Sequence, residues 1–117
     1  MIAGINSAIS ALSAFEKKLN STAHNIANVN TDGYKRTRVI IEDNGSQGVS
    51  ADVQKVNTPG PRVYEPGNGT TSLVEKSNVD LSTEMVNLIV ARRSYQANIK
   101  TFQTSDEILG SLMDIIG

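Results

Sequence analysis

The sequence predicts a mainly α-helical protein with a small β element. Two long terminal helices form an antiparallel, coiled-coil-like pair, joined by a short β-hairpin or loop-rich middle segment. Three observations predict this. Apolar residues recur at alternating steps of three and four near one end, and the same rhythm returns near the other. The stretch between them is β-branched and is broken by Gly and Pro. The chain divides accordingly into an N-terminal helix with an Asn/Gly turn (1–33), a small β and loop segment (34–79) and a C-terminal helix (80–117). The first and last together form one helical assembly domain.

Over about Ile2 to Asn28, the residues Ile5, Ala8, Leu12, Phe15, Leu19, Thr22 and Ile26 form the seam of an amphipathic helix, and Ile9 and Ala23 widen it. Glu16, Lys17, Lys18 and Asn20 fall elsewhere on the wheel. The small residues Ala3, Ser7, Ala11, Ser13 and Ala14 let another helix approach closely. Asn28-Val29-Asn30-Thr31-Asp32-Gly33 then stops the helix with side chains that hydrogen-bond their own backbone. Gly33 supplies the left-handed conformation that a turn into Tyr34 needs.

In the middle segment, Thr37-Arg38-Val39-Ile40-Ile41-Glu42 reads as a strand and Asp43 to Gly48 as a turn. Val49, Ala51 and Val53 alternate with polar residues, as in a half-buried strand. Arg62-Val63-Tyr64-Glu65 lies between two breakers, Thr58-Pro59-Gly60-Pro61 and Pro66-Gly67-Asn68-Gly69.

The last segment carries the strongest pattern: Leu81, Met85, Leu88, Arg92, Tyr95, Ile99, Phe102, Asp106, Leu109, Met113 and Ile116. Asp80 is its expected N-cap. Val86, Ile89, Val90, Ile108, Leu112 and Ile115 flank the stripe, so the apolar surface is wider than a two-helix seam requires. At 1.5 Å per residue the helix is ~55 Å long, whereas a globule of this chain length is roughly 35 Å across. The expected shape is a rod. The first helix is shorter by roughly 11 residues, which leaves an overhang of ~16 Å near Asp106 to Ile116. That overhang holds Ile108, Leu109, Leu112, Met113, Ile115 and Ile116, and a partner should cover them. A head-to-tail contact there generates a filament unless it closes into a ring. An ordinary small bundle or a closed homodimer also satisfies the periodicity.

Composition narrows the chemistry. The formal net charge is −1, from 11 basic and 12 acidic residues, and the densest basic cluster is Lys35, Arg36 and Arg38. That is too little to neutralise many phosphates, so nucleic acid is not an expected partner. Cysteine is absent, which removes thiolate metal sites, disulfides and a Cys nucleophile. The start Met1-Ile2-Ala3-Gly4-Ile5-Asn6 lacks a basic n-region, so no cleaved secretory signal is expected. No stretch approaches the roughly 20 apolar residues needed to span a bilayer, and no membrane insertion is expected.

No catalytic, cofactor or metal site can be assembled. His24 is the only histidine, and it reads as a helix-surface residue, since neither metal co-ligands nor a nucleophile motif accompany it. Glu42/Asp43 and Asp106/Glu107 are sequence neighbours that read as turn and helix-surface charges. Gly67 and Gly69 lack the Gly-Lys-Ser/Thr that a phosphate cradle requires. Asn25, Asn28, Asn30 and Thr31 read as capping and turn residues. Arg92, a charge on the seam, reads as a register-fixing or inter-subunit contact, the alternative being a long side chain that snorkels to water.

Two blocks carry a family resemblance. Ala23-His24-Asn25-Ile26-Ala27-Asn28-Val29-Asn30-Thr31-Asp32-Gly33-Tyr34-Lys35-Arg36 resembles the N-terminal signature of flagellar rod and hook proteins. Its turn residues are Asn25, Asn28, Thr31, Gly33 and Tyr34. The run from Asn78 to Ile89, continued by Arg93-Ser94-Tyr95-Gln96-Ala97-Asn98, resembles the C-terminal signature of the same family. Shortness, Val63-Tyr64-Glu65-Pro66-Gly67-Asn68 and Asn78-Val79-Asp80 are most similar to the small proximal rod proteins of the FlgC type. The turn Asn30-Thr31-Asp32-Gly33-Tyr34 and the run Thr104 to Leu109 are similar to distal rod and hook subunits.

The resemblance implies a structural subunit of the flagellar basal-body rod that polymerises through its terminal helices and contributes to flagellum assembly and motility. It implies a location in the periplasmic part of the basal body. The implied partners are further copies of the chain, other rod and hook subunits, and the flagellar type III export apparatus, which the family uses without a cleaved signal. The assembly seam would be Ile5, Leu12, Phe15, Leu19, Ile26, Leu88, Arg92, Tyr95, Ile99, Phe102, Leu109, Leu112, Met113 and Ile116. The rival reading is a soluble flagellar accessory or export-regulating protein that forms a closed small oligomer.

Overall fold

The computed structural model describes residues 2–45 and 48–117. Two helices enclose the chain order: α1 spans Ile2–Ala27 and α2 spans Leu81–Ile116. Between them lie β1 (Thr37–Asp43), β2 (Val49–Lys55), β3 (Arg62–Pro66) and β4 (Thr71–Glu75). The molecule is a rod of 81 × 23 × 18 Å. Its radius of gyration is 20.8 Å, against about 13 Å for a compact chain of this length.

The helices end where their chemistry changes. After Ala27 the chain tightens: the Asn28 N–H donates to the His24 carbonyl at 3.1 Å, and the Thr31 N–H to the Asn28 carbonyl at 3.0 Å. Gly33 then adopts φ 69°, which lets its N–H reach the Glu75 carbonyl at 2.8 Å. At the start of α2 the Asp80 carboxylate accepts from the Ser82 N–H at 3.0 Å and from the Thr83 hydroxyl at 2.9 Å. That is an N-cap on two partners.

The middle segment folds as two separate antiparallel hairpins. β1 pairs β2 from Thr37↔Lys55 to Asp43↔Val49, and this hairpin packs on α1. The expected turn over Asp43 to Gly48 includes Ser46 and Gln47, which lie outside the described residues, as does Met1. The expected alternation on β2 holds at Val49 and Ala51 but not at Val53, which is exposed.

The second hairpin, β3 with β4 from Arg62↔Glu75 to Pro66↔Thr71, is not evident in the sequence pattern. Its strands have five residues each and bury almost nothing, so no alternation marks them. Pro66 is tolerated because it sits at the end of its strand. The Gly67 N–H closes the turn on the Thr70 carbonyl at 2.8 Å.

The two helices pack antiparallel. Thr22 near the end of α1 and Glu84 near the start of α2 line one small hollow. Equal rise from that point brings Ile2 beside about residue 104, so the following turns of α2 extend past α1. All residues from Gly110 to Gly117 are exposed. Among the described residues the buried apolar side chains are Ala8, Ala14 and Ala91. On α2 the buried positions are Glu84 and Ala91, one residue before Met85 and Arg92 of the apolar stripe. Ala91 is small enough to let the helix backbones approach closely, whereas Glu84 is buried beside the Arg36 guanidinium.

Candidate assembly site: a hydrogen-bonded junction and the faces it presents

Asn25 occupies the centre of the junction between the helices and β1. It is 1% exposed and is the largest fully buried side chain among the described residues. Its Nδ2 donates to the Thr37 carbonyl at 2.7 Å, while its Oδ1 accepts from the Thr37 N–H at 2.9 Å and from the Tyr34 hydroxyl at 3.2 Å. A side-chain amide thus does for the first residue of β1 what a neighbouring strand does for the others. The hydroxyls of Ser21 and Thr37 share a further bond of 2.6 Å.

Asn78 performs the matching task before α2. Its Oδ1 accepts from the Arg36 N–H at 2.7 Å, and its Nδ2 donates to the carbonyls of Val56 at 2.8 Å and Thr58 at 2.9 Å. Its own N–H donates to the Tyr34 carbonyl at 3.2 Å. Arg36 also extends its guanidinium to Glu84, 3.8 Å away. Glu84 is 2% exposed on the first turn of α2, where the helix N-terminus favours a negative charge. The two sequence blocks, far apart in the chain, therefore meet in one network.

Charges secure the second hairpin to the same junction. Lys35 pairs with Glu75, whose carboxylate also accepts from the Gly60 N–H at 2.9 Å. Lys76 bridges Asp32, at 2.8 Å, and Glu65. The Lys35 ammonium and the Gly60 amide hold the Glu75 carboxyl below its ordinary range, and Asp32 and Glu65 raise the Lys76 ammonium above its own. The bonds from Thr83 and Ser82 lower the Asp80 carboxyl. Burial, then the charge of Glu84, raises the Tyr34 hydroxyl. Gly60 is sterically required, since a Cβ there would lie 2.0 Å from the Lys76 carbonyl oxygen.

Of the turn residues singled out in the sequence, Asn25 and Tyr34 enter the network directly. The Thr31 hydroxyl donates to Asn28 Oδ1 at 3.1 Å, and Asn28 Nδ2 to the His24 carbonyl at 2.9 Å. Of the seam residues, Ile5, Leu12, Phe15, Leu19, Ile26, Leu88, Tyr95, Ile99 and Leu109 are half-buried. Arg92, Phe102, Leu112, Met113 and Ile116 are exposed, and Arg92 takes part in none of the ion pairs among the described residues. Sequence reasoning missed the roles of Thr37, Lys76, Glu84 and Gly60. Thr37 reads only as a strand start, and Glu84 is not singled out within the run from Asn78 to Ile89. The Pro-Gly-Pro run around Gly60 signals a turn without naming the carbonyl that crowds it.

The outside of the rod is unusually apolar. Leu81, Met85, Val86, Ile89 and Val90 are exposed on the first half of α2, and Ile108, Leu112, Met113, Ile115 and Ile116 on its last turns. The accessible surface is 7965 Å², about 1,800 Å² more than a compact monomer of this length exposes. The hollow lined by Lys18, Arg36, Arg38 and Glu84 encloses 110 Å³, and larger hollows of 340 Å³ beside His24 and Tyr34, 370 Å³ beside Gly60 and Asn78 and 430 Å³ beside Ile89 and Arg92 lie elsewhere on the surface. Among the described residues there is no group of three His, Cys, Asp or Glu placed to hold a metal, and no helix is long and apolar enough to cross a membrane.

Comparison with known proteins agrees with this geometry. Residues 5–35 match the family described as flagella basal body rod protein, and residues 71–115 match the C-terminal region of the flagellar basal body rod FlgEFG proteins. The flagellar basal-body rod protein FlgC of Escherichia coli O6:H1 is 38% identical over 110 residues, covering 81% of this chain and 82% of that protein. FlgC of Yersinia enterocolitica is 35% identical over 115 residues, with 86% of each chain covered. The flagellar hook protein FlgE of Escherichia coli K12 is 51% identical over 49 residues, 42% of this chain and 12% of that protein. The junction joins the two matched regions. The chain belongs to the flagellar basal-body rod and hook protein family, and within it is similar to FlgC.

Proposed function

We propose that this chain is a structural, non-enzymatic subunit of the flagellar rod that polymerises with further copies of itself and with other rod and hook subunits through its terminal helices. The observation that carries the reading is the inversion of its apolar surface. Three alanines are buried among the described residues, while many larger aliphatic side chains cover the outside. Fully burying one such side chain contributes about 1.5–3 kcal/mol, so the apolar surface gains far more from neighbours than from the chain's own fold. The excess surface is about twice what one partner buries in a standard protein–protein interface. In this reading the seam residues from Ile5 to Ile26 and from Leu88 to Ile116 are assembly contacts, and the junction sets the angle at which the hairpins leave the helical layer.

The same reading places the chain in the periplasmic part of the basal body. It would be delivered there by the flagellar type III export apparatus without a cleaved signal. The thin 81 × 23 × 18 Å shape and the near absence of a large apolar core suit a chain exported before it is locked into a lattice.

Deleting 106–117 tests the role of the overhang. The truncated chain keeps the junction and the paired part of the helices, so it should retain its helical signal and thermal transition. Cells that carry it in place of the full chain should be non-motile and lack it in their basal bodies. Incorporation and motility at the level of the full chain would refute the assembly role. Sedimentation against concentration separates the rival closed oligomer, which stops growing, from an open polymer, which does not.

A further inference from the structure

Asn-Gly occurs at Asn44-Gly45 and at Asn68-Gly69, in each case in the connection of a hairpin. In such a pair the next peptide nitrogen can close a five-membered ring on the side-chain amide carbon, and glycine has no Cβ to hinder the approach. The two sites differ in what surrounds that nitrogen.

At the first hairpin the ring is opposed. The Gly45 N–H donates to the Asp43 carboxylate at 2.9 Å, and the negative charge there opposes loss of the proton. The Asn44 N–H is bonded to the Gly48 carbonyl at 3.1 Å, the Asn44 Nδ2 lies against Gly48, and the hairpin is packed on α1. At the second hairpin Asn68, Gly69 and Thr70 are all exposed. Among the described residues the Gly69 N–H and the Asn68 side chain make no hydrogen bond. β3 and β4 pack on neither helix and on neither strand of the first hairpin; they are tethered at Glu75, by Lys35 and by the Gly33 N–H. A two-stranded hairpin without a packed face is marginal on its own. Its tip therefore opens at little cost, which frees the backbone to rotate into the geometry of attack.

We propose that Asn68 is a self-modifying site, at which the chain deamidates through a succinimide. The Gly69 peptide nitrogen attacks Asn68 Cγ. A new C–N bond forms, the bond from Cγ to the side-chain nitrogen breaks, and ammonia leaves with the proton that Gly69 gives up. Water then opens the ring at either carbonyl, leaving aspartate or isoaspartate. The net change is amide plus water to acid plus ammonia, and nothing is oxidised or reduced. Both products place a negative charge on a turn that carries none. They differ in the backbone. Aspartate preserves the connection in which the Gly67 N–H reaches the Thr70 carbonyl at 2.8 Å. Isoaspartate adds a methylene to the main chain between those two residues, so that bond and the Pro66↔Thr71 pairing should be lost.

The test is incubation of the purified full chain in mildly alkaline buffer at body temperature, folded and in guanidinium, followed by peptide mapping with mass spectrometry and isoaspartate detection. In the folded chain Asn68 should convert several-fold faster than Asn44, and in guanidinium the two rates should converge. Equal rates in the folded chain, or an intact Asn68 in the folded chain while the unfolded chain reacts, would overturn the proposal. Asp43→Asn keeps an acceptor for the Gly45 N–H without its charge and should speed conversion at Asn44; an unchanged rate would overturn the protection assigned to Asp43.

Discussion

Asn25→Ala removes a fully buried side chain that, beside Ser21, joins α1 to β1. It takes away the acceptor for the Thr37 N–H, the donor to the Thr37 carbonyl and the acceptor for the Tyr34 hydroxyl. The half-buried Tyr34 hydroxyl can turn to water; the two peptide groups of Thr37 are held in the junction. Losing two net bonds and leaving those groups poorly satisfied costs about 3–5 kcal/mol. That is a large share of the roughly 5–15 kcal/mol that holds a domain folded, and it corresponds to a fall in Tm of about 10–20 °C at this chain length. Asn25→Asp should not rescue it, because the carboxylate keeps the acceptors but faces the Thr37 carbonyl without a donor. Asn28→Ala, which removes a half-buried amide whose bonds to the His24 carbonyl and the Thr31 hydroxyl lie at the surface, should cost about 1 kcal/mol. Thermal and guanidinium unfolding followed by circular dichroism measures all three. A loss for Asn25→Ala no larger than that for Asn28→Ala would refute the account of the junction.

Gly60→Ala drives a methyl group into the Lys76 carbonyl; backbone displacement should cost about 1–3 kcal/mol, and exchange of the Lys76 N–H, which donates to Pro61, should accelerate. Glu84→Gln removes the charge that raises the Tyr34 hydroxyl but leaves its burial, so ultraviolet titration should show Tyr34 moving down towards 10.0 without reaching it. No movement would sever the inferred link. Glu75 and Asp80 lie below their ordinary values of 4.5 and 3.8, so their stabilisation is complete above about pH 5 and is lost as pH falls through the lower folded values. Lys76, raised above 10.5, stabilises below that pH and ceases to do so as pH rises through its folded value. A Glu75→Gln chain should converge on the natural one in stability as acid is added. A constant difference would contradict the assignment.

The helices were legible because their apolar spacing extends over many turns, and the α2 boundaries, Asp80 cap included, follow from residue type alone. What periodicity could not resolve was the centre of contact. The apolar rule selects Met85 and Arg92, whereas burial selects the neighbouring Glu84 and Ala91. β1 was legible from Val39, Ile40 and Ile41, and the β3–β4 hairpin was not, because a strand exposed on both faces carries no alternation. At the junction, Asn25 and Tyr34 stand out in one sequence block and Asn78 in the other. Their meeting is a tertiary fact that no local pattern encodes, and Thr37 in particular is an ordinary strand residue until Asn25 is placed against it.

The central claim is that this chain is built into the rod. Quantitative mass spectrometry of basal bodies purified from cells with and without the chain tests it most directly. The account predicts that the chain co-purifies at a fixed ratio to other rod subunits, and that cells lacking it yield basal bodies with an incomplete rod. Recovery of the chain only in the soluble fraction, as a closed oligomer, beside structurally complete rods would contradict it.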